Sequence, residues 1–204
     1  MILAIDTSTA ACSVALFGAN ERLMAREQEV IGRGHAERLV PMIEKLLDGR
    51  QPDAILVGVG PGSFTGIRVG IAAAQGLAIG WNIPLDGMSS LALIAASAGE
   101  EPGARAAVVP GGHGELFVQE FDGPDLTQLG PHRSLAPEAA AEEIGAPLLL
   151  GPGAATLIAA RGSGEAREGW PDAGCALDLP EDLRKLAPKP LYGRPPDAKP
   201  KAAV

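Results

Sequence analysis

Both halves of the chain open in the same way. An apolar run leads into a polar turn, and a second apolar run leaves it. The first instance is Ile2–Phe17, turning at Asp6-Thr7-Ser8-Thr9; the second is Ala106–Phe121, turning at Gly111-Gly112-His113-Gly114. Short apolar runs bracketed by turn residues are strand signals. A repeat of strand, polar turn and strand predicts two related lobes, the second shorter, in an α/β chain.

The rest of the pattern fits that frame. In the first half, Arg22–Gln28 suits a third strand. Between Gly34 and Gly49, residues Ala36, Leu39, Val40, Ile43, Leu46 and Leu47 share one helical face. Pro41 is tolerated early in that helix, and Gly49 suits its end. Ala54–Val59 has the look of a buried strand, Thr65 to Trp81 of a second helix, and Ile83–Met88 of another strand. Ser89 or Ser90 is placed to cap a third helix running to Ala98. The polar stretch Glu100–Arg105 is the expected lobe boundary. Beyond the second hairpin come a helix over Pro137–Ile144, a strand over Pro147–Leu150 and a helix over Ala154–Arg161. Residues after Gly162 look rich in loops. The expected division is a first lobe over 1–99, a smaller lobe over 100–187 and an extended, poorly ordered tail over 188–204.

Composition narrows the class. Apolar residues make up 46% of 204 residues, but aromatic residues only 3%. That suits helices packed through small side chains, not a disordered chain. The two cysteines, Cys12 and Cys175, have neither metal-site spacing nor a disulfide framework. No basic leader precedes the first strand, and Val69–Trp81 is too short for a membrane span. A cytoplasmic protein without membrane contact is expected. The formal net charge is −8, yet from Arg184 onward six Lys/Arg face one acid. The acidic body would repel phosphates, so any RNA contact would fall to the tail, which more often is simply solvated.

Ala54–Arg68 carries the strongest local signal. A strand enters Gly60-Pro61-Gly62-Ser63-Phe64 and a helix leaves it. Amides at a helix start favour anions. Gly60 and Gly62 have dinucleotide-type spacing, and Asp86 ends the next strand about where a ribose-binding acid would lie. Thr65 occupies the third glycine position, however, and no Lys follows as in a Walker loop. A tight strand-to-helix turn is the plainer reading. In the helix that follows, Gly66, Gly70, Ala73, Ala74 and Leu77 lie on one face. Glycine inside a helix costs about 1 kcal/mol against Ala, so the pair needs a packing reason. Close approach by another helix is one, whether from this chain or from a partner.

Asp6 stands where sugar kinases and actins place an acid that positions metal-bound phosphate. Thr and Ser occupy the positions where such loops use glycine. A strand-end cap is the stronger reading for Asp6. Only His35, His113 and His132 are present, and His35 has no histidine four residues on. It is expected at the surface or at a helix cap. No catalytic set is legible.

Three segments resemble the TsaB (YeaZ) family: Ile2-Leu-Ala-Ile-Asp-Thr-Ser-Thr, Gly34-His-Ala-Glu-Arg-Leu-Val-Pro-Met-Ile and Val57-Gly-Val-Gly-Pro-Gly-Ser-Phe-Thr-Gly-Ile-Arg-Val-Gly. Leu85-Asp-Gly-Met-Ser-Ser-Leu and Leu191-Tyr-Gly-Arg-Pro-Pro-Asp-Ala-Lys-Pro extend the likeness over most of the chain. The resemblance implies an actin-like ATPase (ribonuclease H-like) fold with a reduced second lobe. It implies a non-catalytic subunit in the formation of threonylcarbamoyladenosine on tRNA, with a TsaD-type catalytic partner and a TsaE-type ATPase. By itself the chain would be no enzyme. It would meet tRNA only through the complex, hold no tightly bound cofactor, and share any nucleotide at the complex interface. A homodimer of the free chain stays open. The lone His35, in place of the histidine pair of TsaD proteins, fits a scaffold role. Gly111-Gly112-His113 departs from the Asp-Ala-Arg common among relatives, and Pro152 from a common acid. The expected partner interface is a four-helix contact using Leu39, Ile43, Leu46, Gly66, Gly70, Ala73, Ala74 and Leu77. The competing readings are an autonomous nucleotide-binding, ATPase-like enzyme and, more remotely, a protease.

Overall fold

The structure, a computed structural model, describes residues 1–192. Of the tail expected over 188–204, residues 193–204 fall outside the described residues. The first half supplies β1 (Ile2–Asp6), β2 (Ala11–Phe17), β3 (Leu23–Val30), α1 (His35–Leu47), β4 (Ala54–Gly58), α2 (Phe64–Trp81), β5 (Leu85–Met88) and α3 (Ser90–Ala96). The second supplies β6 (Ala104–Pro110), β7 (Leu116–Asp122), β8 (Thr127–Gln128), β9 (Arg133–Leu135), α4 (Pro137–Glu143), β10 (Leu148–Leu150), α5 (Ala154–Arg161), β11 (Glu165–Arg167) and α6 (Glu181–Arg184).

The two sheets share one plan. The first has the order β3-β2-β1-β4-β5, with β1, β2 and β3 antiparallel in turn and β4 and β5 parallel to β1. The second has the order β8-β7-β6-β10-β11 with the same directions, and β9 also pairs with β7. The repeated hairpins are therefore equivalent parts of two equivalent sheets. An antiparallel β2 also separates this plan from the all-parallel dinucleotide fold.

Period-2 alternation divides each strand between two cores. Leu3, Ile5, Cys12, Val14, Leu16, Ile55 and Val57 face α1 and α2. Ala4, Ala15, Phe17 and Leu56 face the opposite side, onto α3 and the second sheet. In the second lobe Ala106 and Val108 face α4 and α5, while Ala107 and Val109 face α3. The layers therefore run helices, sheet, α3, sheet, helices. Ser89 caps α3 by accepting from the Ala92 amide at 3.2 Å, and Ser63 caps α2 by accepting from the Gly66 amide at 3.2 Å.

Three expectations change. Arg105 is not in a polar linker: it lies in β6 and is fully buried. Its guanidinium donates to the carbonyls of Ala95, Gly99 and Glu101, tying the end of α3 to the second sheet. The short β8, β9, β11 and α6 lack the length to show a period in sequence. Finally, the chain from Ala173 to Tyr192 runs back across the first lobe. The Ala173 amide donates to Ser13 Oγ at 2.9 Å, Leu186 bridges Gly87, and the Leu191 amide donates to the Val59 carbonyl at 2.8 Å.

Candidate functional site

The β1–β2 turn, Asp6-Thr7-Ser8-Thr9, is buried. Asp6 ends β1 and is buried. Its Oδ1 accepts from the Ser8 amide at 2.8 Å and from Ser8 Oγ at 2.7 Å. Its Oδ2 accepts from Ser90 Oγ at 2.6 Å, and Ser90 Oγ accepts from the Gly60 amide at 3.1 Å. One carboxylate thus joins the β1–β2 turn, the β4–α2 turn and the start of α3. Burial pushes the Asp6 carboxyl above the usual range, and these hydrogen bonds only partly counter it. The expected role as a strand-end cap holds, in a larger network than a cap requires.

The glycines around this turn share one cause. A Cβ on Gly58 would lie 1.9 Å from Asp6 Oδ2, and one on Gly62 2.2 Å from the Ser8 carbonyl. On Gly66 it would lie 2.1 Å from the Thr7 carbonyl, and on Gly70 2.5 Å from Thr7 Oγ1. Thr7 Oγ1 in turn donates to the Gly66 carbonyl at 2.7 Å, and the Ser63 amide donates to the Ser8 carbonyl at 2.6 Å. The series at 58, 62, 66 and 70 is the imprint of residues 6–8 pressed on β4 and α2. It leaves no phosphate cradle among these residues and no groove for a partner helix. His35 is also not at the surface: it is buried, with Nε2 3.3 Å from the Ala11 carbonyl. Among the described residues no group of three His, Cys, Asp or Glu is placed to hold a metal ion. Asp86 stays in β5, paired with Leu56 of β4.

In the second lobe the corresponding turns press on their own sheet. A Cβ on Gly151 would lie 2.5 Å from the Val108 carbonyl, and one on Gly153 2.9 Å from Val108 Cγ1. Burial pushes the thiols of Cys12 and Cys175 up to about 12, so neither is a ready nucleophile.

The expected interface residues need correction in their orientation. Leu39, Ile43, Leu46, Gly66, Gly70 and Ala74 are buried in the chain's own core, while Ala73 and Leu77 are half-buried. The sheet claims the apolar stripe first, because burying it there removes the most apolar surface from water. The faces of α1 and α2 left outward carry other residues. Val40 is 58% exposed, Phe64 63% and Ile79 82%, with Ala36, Ala72, Gly76 and Gly80 also outward. The sequence signal for Ile79 was available: a branched apolar side chain off the 67, 71, 74, 78 stripe.

The order β3-β2-β1-β4-β5, repeated in a second lobe and joined by α3, defines a two-lobed protein with an actin-like fold. Residues 27–159 match the TsaD family model, tRNA N6-adenosine threonylcarbamoyltransferase. The solved structure of YeaZ from Pseudomonas aeruginosa superposes with a TM-score of 0.77 at 30% identity, covering 94% of this chain and 98% of that one. The chain belongs to the TsaB (YeaZ) family. The tRNA threonylcarbamoyladenosine biosynthesis protein TsaB of Escherichia coli (strain K12) is 40% identical over 127 residues, 59% of this chain and 54% of that protein. The protein of the same name from Haemophilus influenzae is 45% identical over 104 residues, 48% of this chain and 43% of that protein. The chain thus spans about half the length of these two curated relatives.

Proposed function

We propose that this chain is the non-catalytic partner subunit in the formation of threonylcarbamoyladenosine on tRNA. It supports a TsaD-type subunit that carries the chemistry, in an assembly that also engages a TsaE-type ATPase and meets tRNA only as a whole. The observation that carries this reading is the occupation of Asp6. A phosphate- or metal-positioning acid must present free oxygen lone pairs to its ligand. Here both oxygens accept from Ser8 and Ser90, and Gly58 and Gly62 admit the chain's own turn rather than a ligand. What such a chain offers a partner is surface. The outward sides of α1 and α2, with Val40 and Ile79, are that surface, because exposed branched residues on two neighbouring helices gain by being covered. The names of the TsaB relatives support the pathway. Nucleotide in this scheme sits at the subunit interface, and the chain holds no cofactor of its own.

The test is reconstitution. The purified chain, a TsaD-type subunit and a TsaE-type ATPase are assayed together and singly for modification of tRNA. The expected result is turnover only in the mixture and a stable complex between this chain and the TsaD-type subunit. Titration with ATP separates the alternative: saturable binding and hydrolysis by this chain alone would make it an autonomous enzyme.

A further inference from the structure

Tyr192 is the sole tyrosine of the chain, and it lies against two exposed residues of α2. Its ring stacks on Phe64 with centroids 6.0 Å apart and planes at 30°. The Arg68 guanidinium lies 3.3 Å from the Phe64 centroid and 5.4 Å from that of Tyr192, and it donates to the Tyr192 hydroxyl. We propose that residues 186–192 form a latch along α2, firmly hinged at Leu186 and closed at its outer end by the Phe64–Arg68–Tyr192 clamp.

The hinge is built into the sheet. Leu186 and Gly87 exchange both backbone hydrogen bonds, at 2.7 and 2.9 Å, and the Ser89 amide donates to the Leu183 carbonyl at 2.8 Å. Gly87 is needed for this approach, since a Cβ there would lie 2.9 Å from the Ala187 carbonyl and 2.7 Å from Val59 Cγ1. Pro188 and Pro190 stiffen the segment between, so less conformational freedom is lost when it lies down. Midway, Gln75 Nε2 lies 3.4 Å from the Pro188 carbonyl, and one residue before the clamp the Leu191 amide bonds to Val59 and the Leu191 side chain packs on the α1/α2 core. The outer end differs in kind. Phe64 and Tyr192 remain 63% and 47% exposed, so side-chain stacking in water does the holding there. Contacts of that sort are individually weak at exposed sites. The latch is therefore held firmly through Leu191, and only its last described residue, Tyr192, is free to open easily.

Phe64, Arg68 and Gln75 form one stripe of α2, and the latch lies over it. Closed, it sets the border of the outward face of α2. That the border matters to a partner rests on the function proposed above.

A single tyrosine gives a direct probe. The chain is labelled with 3-fluorotyrosine and followed by fluorine NMR, which yields one resonance. In the free chain the resonance is expected to be displaced from that of fluorotyrosine in an unfolded peptide. Phe64→Leu and Arg68→Ala should each move it toward the peptide position with the melting temperature unchanged, because both side chains are exposed. A wild-type resonance already at the peptide position, or one that neither variant moves, overturns the latch. Adding a TsaD-type subunit is expected to shift the wild-type resonance. A complex that forms and leaves it unchanged overturns the role at the border. Failure of any complex to form overturns the proposed function and leaves the latch standing.

Discussion

The two lobes share a strand order but not a helix length. In the first, α2 has 18 residues and packs over β4, which has five. At helix and strand rises those are about 27 and 17 Å. In the second, α5 has eight residues over a β10 of three, about 12 Å against 10 Å. The second lobe's helix just covers its strand. The first lobe's helix outruns its strand by nearly two turns, and Ile79, near its C-terminal end, is exposed. On the function proposed above, those turns are surface for a partner. The lobes also differ at their hairpin turns, where the first closes around Asp6 and the second turns on glycine.

The largest effect expected from breaking this comparison is at Gly66. Gly66→Ala drives a methyl against the Thr7 carbonyl, a backbone atom with no room to yield. Overpacking of this kind costs about 3 kcal/mol, and denaturant unfolding would show it. Farther along the same helix, a Cβ on Gly76 meets nothing. Gly76→Ala should therefore stabilise by about 0.5–1 kcal/mol through helix propensity alone. Equal effects at the two positions would refute the assignment of the inner and outer faces.

Next in size is the joint between the lobes. Arg105→Met leaves the Gly99 and Glu101 carbonyls, just beyond α3, without the donor it supplies, while Ala95 keeps the Ala98 amide. The expected loss is about 2 kcal/mol. Hydrogen exchange should quicken over residues 96–104 before the rest of the molecule responds.

A smaller effect comes from pH. Burial raises the Asp6 carboxyl above its ordinary 3.8. Between that value and the raised one, the native state binds more protons than the unfolded chain, so this group's contribution is fullest below the unfolded value and is lost as pH rises through the folded one. Stability of the wild type relative to Asp6→Asn should therefore grow on acidification through that window. A pH-independent difference in denaturation midpoints would show that Asp6 titrates as in the unfolded chain.

Much of the fold was legible in the sequence because the long elements carry clear periods and caps. The paired hairpins, α1, β4 and α2 are all in place, and Ser89 caps α3 as expected. The site was legible in part. The glycine series was visible, but a four-residue spacing of small residues looks the same whether it admits a partner helix or the chain's own turn. Only the position of Thr7 against Gly66 and Gly70 separates the two. Likewise, the proline- and lysine-rich stretch from Pro188 resembled a loose end. Leu191 and Tyr192 dock it, through a backbone bond to Val59 and a stack on Phe64, and both contacts join positions more than a hundred residues apart.

On the proposed function, the outward side of α2, not its glycine face, meets the catalytic partner. Ile79 tests it with the least disturbance to the fold, since its side chain is 82% exposed. The measurement is the affinity of Ile79→Asp for a TsaD-type subunit by calorimetry, with the melting temperature of the free chain as control. Surface changes of this kind usually alter stability by no more than about 0.5 kcal/mol, so the melt should hardly move. A charge at the centre of an apolar contact should weaken binding about tenfold or more, which is 1.4 kcal/mol or above. Unchanged affinity in a chain that melts like the wild type would contradict the account.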